Sequence, residues 1–270
     1  MQPGTKRHTS GTIRSPLRAS LLDTIAAGRR SAVPKPEAAA AHQDWAAHFG
    51  REEARYRDGE ARLSQPAPDD PADPESRQRQ LTRMGNAAGG AALALLMEGR
   101  RAEAAEWFVR AAECYRESFP EAPPGSWGRP IGAIKALVLA DDWAKAEGAA
   151  AWALEAGAAE SESPIGGYAA ALALLVLGRD HDAVVHADAI RTSDDFPHDV
   201  GDALAFLAAG DLVGYTYAVE SVLDSFESRE EYLEDIPVAD TVLVLQALAA
   251  RRGLAVELSS SLLPATSAGA

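Results

Sequence analysis

Four times between residues 88 and 225 an apolar helical run breaks at one small or acidic residue and resumes as a second helical run. "LLMEGRRAEAAEWFVRAAECYRESF" breaks at Gly99, "LVLADDWAKAEGAAAWALEAGA" at Asp141, "LLVLGRDHDAVVHADAI" at Gly178 and "FLAAGDLVGYTYAVESVL" at Gly210. The breaks are 42, 37 and 32 residues apart. Each interval holds two helices of about 11–12 residues with their connections. Self-similarity at such a period marks a chain that stacks one supersecondary unit on the next. Proline-rich and polar loops divide the units. Ser163-Pro164 supplies an N-cap and a proline at the first helical position, and Pro197 and Pro237 are expected to open later helices in the same way. Period-2 alternation appears only in "GLAVELSSSLLP", through Leu254, Val256 and Leu258. That piece is expected to lie extended across the last helix. The expected fold is all-α: an α-solenoid-like, right-handed stack of antiparallel helix pairs with a flexible N-terminal segment.

The second helices share a register. Counting from Gly99, Ala104 falls five residues on, Phe108 nine on and Ala111 twelve on. The same positions after Asp141 hold Ala146, Ala150 and Ala153; after Gly178 they hold Ala183, Ala187 and Ile190; after Gly210 they hold Tyr215, Val219 and Val222. Small residues let two helices approach, and a glycine takes a left-handed turn at little steric cost. This spacing resembles the tetratricopeptide repeat in degenerate form. The resemblance implies a scaffold that binds other proteins. Some members of that family clamp a peptide's C-terminal carboxylate with Lys, Arg and Asn of the first helices. Only Arg129 and Lys135 are available here, so the clamp is not carried over. "TVLVLQALAARRGLAVELSSSLLP", Thr241 to Pro264, is similar to the end of the immunity protein 49 family of bacterial polymorphic toxin systems. That second resemblance implies an all-helical protein that binds and neutralises a toxin, and it transfers no catalytic residues.

Composition divides the chain. Residues 1–16 read as a disordered tail, 17–76 as N-terminal helices and a Pro/Asp-rich linker, 77–264 as the helical-repeat domain and 265–270 as a second tail. Within the N-terminal part, a short helix is expected from Leu17 to Gly28. A longer run is expected from Glu37 to Leu63, interrupted at Gly50 or Gly59. The net charge is −14, but residues 1–35 carry +6, which leaves −20 for the rest. An acidic body repels nucleic-acid phosphates and attracts a basic partner. The basic head lacks interleaved aromatics and reads as a solvated tail. No apolar run reaches the ~18 residues of a membrane span, and Asp23 interrupts the only N-terminal apolar stretch. The single cysteine, Cys114, permits no intramolecular disulfide and fits a reducing compartment. A cytoplasmic protein is expected.

The densest cluster of chemistry-bearing side chains is Asp180, His181, Asp182, His186 and Asp188. Asp182 and His186 are four apart and share a helix face. With His198 from the following loop they make the alternative reading, a metal-dependent hydrolase, since zinc needs three or four converging ligands. In the repeat register, however, these positions carry Arg, Glu and Lys in the sister units. Acids in a first helical turn also suit the helix dipole. No cofactor is expected. "DDWAK" is an interhelix turn, and "GNAAGGAAL" reads as close helix packing because no strand precedes it and no Lys-Ser/Thr follows. Cys114 reads as a small buried hydrophobe. Trp127, in "PPGSWGRP", is the one tryptophan expected to be exposed.

The most suggestive surface is Glu220 to Asp240. Here Asp224, Glu227, Glu230, Glu231, Glu234 and Asp235 are the expected partner-binding residues, against the lone base Arg229. Ser228 with Glu231 is expected to form a capping box. An acidic face steers and docks a basic protein, of which a nuclease-type toxin is one kind. The reading is therefore a non-enzymatic protein-binding module, possible in a sharper form as a toxin-neutralising immunity protein. Its alternative is a regulatory or assembly scaffold.

Overall fold

The computed structural model describes residues 43–64, 74–232 and 235–265. The expected helix from Leu17, the tails at 1–16 and 266–270, most of the Pro/Asp-rich linker and Glu234 lie outside the described residues. The described chain is all-helical and holds no strand. Its helices are α1 (Trp45–Ser64), α2 (Pro74–Met97), α3 (Arg101–Ser118), α4 (Gly128–Leu139), α5 (Trp143–Glu155), α6 (Pro164–Val176), α7 (Asp180–Arg191), α8 (His198–Ala209), α9 (Leu212–Glu227) and α10 (Asp240–Ala250). None is long and apolar enough to cross a membrane.

The four breaks build the same turn. Gly99, Gly178 and Gly210 have φ of 79°, 69° and 68°, and Asp141 takes their place at φ 58°. At each, the turn residue donates its N–H to the carbonyl three residues back. The next residue donates to the carbonyl five back: Arg100 to Leu95 (2.9 Å), Asp142 to Leu137 (3.1 Å), Arg179 to Leu174 (2.8 Å) and Asp211 to Phe206 (2.9 Å). This is the Schellman closure, which satisfies carbonyls that a helix end leaves orphaned. An L-residue in the left-handed region costs roughly 1–2 kcal/mol, less for Asp, whose short polar side chain bonds locally. Asp141 does so, accepting from Trp143 Nε1 at 2.7 Å. The next helix then starts on a side-chain cap at Asp142 or Asp211, which accept the backbone N–H of Lys145 (3.1 Å) and Gly214 (3.0 Å).

The register read from the second helices is the register of the core. All twelve positions, from Ala104 through Val222, are at most 2% exposed. Each helix packs on its neighbour in sequence, so α2–α3, α4–α5, α6–α7 and α8–α9 stack pair upon pair. The first helices also meet one another, α4 on α6 and α6 on α8, and so form one layer. Gly166, Gly167 and Ala169 through Val176 of α6 are all buried, as befits a helix covered on every side.

The last helix does not extend the stack as a fifth pair. Instead α10 lies on the first-helix layer, against α4, α8 and α9. Val242, Val244, Leu245, Leu248 and Ala249 are buried there. Arg252 fastens its end, donating to the carbonyls of Leu175 (2.6 Å) and Leu248 (2.9 Å) and to Asp180 Oδ2 (3.1 Å). The residues after it run extended, as expected. Leu254, Val256 and Leu258 are half-buried and alternate with exposed Ala255, Glu257 and Ser259. The Gln246 amide stands in for a neighbouring strand: its Nε2 donates to the Val256 carbonyl while its Oε1 accepts the Val256 N–H at 3.3 Å.

Several sequence expectations are corrected. The long N-terminal helix runs unbroken through Gly50 and Gly59. Gly59 marks close approach, since a Cβ there would sit 2.4 Å from Met84 Cγ on α2. Phe49 and Tyr56 of α1 meet Trp107 of α3 edge-on, at 5.8 and 5.3 Å between ring centroids. One compact unit begins at Asp44. No helix starts at Ser228, so there is no capping box. Ser228 is the C-cap of α9, with its Oγ on the Ser225 carbonyl at 2.9 Å. Pro237 lies in an irregular lead-in ahead of the N-cap Ala239, and Pro197 is itself an N-cap position. Only Ser163-Pro164 follows the expected pattern, with Ser163 Oγ accepting the Gly166 N–H.

Candidate functional site

The Asp180–Asp188 cluster is taken apart by its neighbours. Asp180 is ion-paired with Arg252, and Asp182 with Arg179 at 2.6 Å. His198 Nδ1 lies 2.6 Å from the Arg191 carbonyl oxygen. Among the described residues no three His, Cys, Asp or Glu side chains gather as a metal-holding group, so Asp182, His186 and His198 are not brought together as a ligand set. The physical reason is that α7 is a second helix. Its buried face, Ala183, Ala187 and Ile190, is the apolar register, and the polar side chains point away from it.

Cys114 is buried beside Tyr56, and burial pushes its thiol up to about 11. Against an ordinary value of 9.0, this lowers the thiolate fraction near pH 8 about 100-fold, and the thiolate is the reactive form. Iodoacetamide at pH 8 is therefore expected to leave Cys114 of the native protein unmodified while labelling it fully in urea. Equal labelling rates would contradict the burial.

The glycines of "GNAAGGAAL" divide in role. Gly85 faces the Tyr115 ring, with a built Cβ 2.8 Å from it, and Gly90 faces buried Glu52 at 3.1 Å. Gly89 meets nothing and borders a groove of about 680 Å³. The groove lies between α2, α4, α6 and residues from Phe226 to Tyr232 and from Ile236 to Thr241. Trp127, expected to be exposed, is 8% exposed and forms part of the groove wall. The Pro/Gly loop folds the indole inward, beside Phe119 at 6.5 Å.

Polar groups in the groove come from distant parts of the chain. Lys135 Nζ is 2.6 Å from Asp240 Oδ2 and 3.1 Å from Thr241 Oγ1. Burial works against the Lys135 charge, but the Asp240 carboxylate outweighs it and holds the ammonium above its ordinary value. Tyr168, on the same wall, is raised by burial. Arg129 donates to Ser118 Oγ at 3.0 Å and to Gln78 Oε1. Nothing local in the sequence signals the Lys135–Asp240 pair, whose members are 105 positions apart and meet only because α10 folds back.

The acidic run is exposed where the structure describes it. Asp224 and Glu227 project from α9, and Glu230, Glu231 and Asp235 from the loop after it. Asp240 is not part of that surface, because it is committed to Lys135. Glu227 accepts from Ser260 at 2.9 Å. Asp224, Glu230 and Glu231 form no ion pair with a described residue. α9 adds a feature the sequence reading missed. Val213 and Tyr217 are 66% and 64% exposed, and Leu212 beside them 45%. Val213, Tyr217, Glu220 and Asp224 are spaced four, three and four, so they form one stripe along the helix. A run of two exposed apolar residues followed four later by an exposed tyrosine was the available signal. Comparison with known proteins finds no significant match to any family model, any curated protein or any solved structure.

Proposed function

We propose that the protein is a non-enzymatic protein-binding helical module that docks a basic partner on the outward face of α9 and the loop beyond it. The observation that carries this is the α9 stripe, where an exposed tyrosine and valine stand in line with Glu220 and Asp224, which form no ion pair with a described residue. Large exposed apolar side chains rimmed by charge are the usual mark of an interaction surface, and tyrosine is among the residues that anchor one. Three surface acids elsewhere are ion-paired, Glu103 with Arg100, Asp142 with Lys145 and Asp182 with Arg179. Glu220 and Asp224, exposed along that stripe, raise the encounter rate with a basic protein. The sharper form is a toxin-neutralising immunity protein, supported by the C-terminal resemblance over Thr241–Pro264. A regulatory or assembly scaffold would use the same surface. A toxin gene beside this one separates the two.

The test uses the full chain as bait in lysate of the source organism at low salt, beside a Tyr217→Ala/Asp224→Lys variant. A basic protein is expected to be retained by the wild type and lost both from the variant and at 0.5 M salt, where screening shortens the reach of charge to a few ångströms. Retention of the same protein by the variant, or of none by the wild type, would refute the reading.

A further inference from the structure

The described lining of the groove beside α10 has a charge opposite to that of the protein as a whole. Among its described lining residues the ionised groups are Arg129, Lys135, Arg229 and Asp240. Lys135 and Asp240 cancel. Arg129 is held by two neutral oxygens and by no carboxylate among the described residues. Arg229 lies over the Phe226 ring at 3.7 Å, likewise without a described carboxylate partner. A half-buried guanidinium that donates only to a hydroxyl and an amide is under-used: it has five N–H donors in a fork that fits a carboxylate. The rest of the wall is apolar or aromatic, including Leu93, Phe108, Ile131 and Tyr168. The volume, about 680 Å³, is in the range of small-molecule sites.

We propose that this groove binds a small organic anion, an apolar body with one carboxylate, the head on Arg129 and the body against the aromatic wall. The site is separate from the α9 stripe, and small-molecule binding to it is read without any protein partner. The local field decides the sign. The net negative charge of the body is spread over a solvated surface, where a Debye length of about 8–10 Å screens it, whereas the groove charges act at contact distance between low-dielectric walls. Asp240 works against the ligand, because it occupies the Lys135 charge.

The probes are 2-naphthoate, 2-naphthamide and 2-naphthylmethylammonium, which share a body and differ in head, titrated calorimetrically into the full chain. Naphthoate is expected to bind one to one, at least tenfold tighter than the amide, with the ammonium weakest. Arg129→Gln is expected to abolish the naphthoate-over-amide preference, and Arg129→Lys to keep part of it. Asp240→Asn is expected to tighten naphthoate several-fold by releasing Lys135, a gain that a damaged fold would not produce. The wild-type preference needs no variant. If naphthoate and naphthamide bind alike, or neither binds, or a folded Arg129→Gln protein keeps the full preference, the groove is not an anion site.

Discussion

Gly201→Ala is expected to destabilise the protein by about 1–3 kcal/mol, although the same change at Gly89 is expected to stabilise it by up to ~1 kcal/mol. Both glycines are inside helices, where alanine is the better residue by nearly that amount. The difference is what the new methyl meets. At Gly201, in the first turn of α8, a Cβ would lie 2.6 Å from Arg191 Cα and 2.8 Å from Arg191 N. Those are backbone atoms of α7, so no side chain can swing away, and the two helices must separate. At Gly89 a Cβ meets nothing within 4 Å, because that side of α2 borders the groove. Thermal melts of the two variants check the opposed signs. A shift of about 2–4 °C per kcal/mol is expected for a domain of this size. A Gly201→Ala protein as stable as wild type would show that α7 and α8 do not meet this closely.

Leu248→Ala is expected to cost about 2–5 kcal/mol, the range for emptying a fully buried leucine site. Leu248 is 0% exposed on α10, and the helices that α10 lies against, α4, α8 and α9, are already fixed by their own partners, so little collapse into the void is expected. Leu212→Ala, on the outward side of α9 where Leu212 is 45% exposed, is expected to stay within about 0.5 kcal/mol. Urea titration of the pair separates the outcomes. Near-equal midpoints would mean that α10 is only loosely laid on the layer of first helices, and would also remove one wall of the groove.

Much of the fold was legible because it is local. The turn residue, the cap after it and the small or apolar residues five, nine and twelve positions on are set by helix geometry, which acts over a few residues. Asp141 shows how robust that signal is: a residue with no glycine freedom holds the same left-handed turn by bonding Trp143. Ser228-x-x-Glu231 misled for the converse reason. A capping box needs a helix to follow it, and the residues after Ser228 leave the helix and cross toward α10. Trp127 misled because a Pro/Gly-rich loop reads as exposed, whereas this one turns its indole into the groove wall.

The candidate sites divide along the same line. The exposure of Asp224, Glu230 and Glu231 follows from their place on the outer side of a second helix and its loop, which the repeat register fixes. The fate of Asp180, Asp182 and His198 does not, because their partners Arg252, Arg179 and the Arg191 carbonyl are chosen by packing and local bonding. The sequence by itself determined the helices, their pairing and the buried face of each second helix, since these depend on intervals shorter than one repeat. The placement of α10 on the first-helix layer was decided only by tertiary structure. With it came the joining of Lys135 to Asp240, the latch of Arg252 on α6 and α7, and a groove of positive charge inside an acidic protein. Contacts across about 70 to 100 residues carry no period that a sequence can display, and they form where the last apolar helix finds the surface left uncovered by the stack.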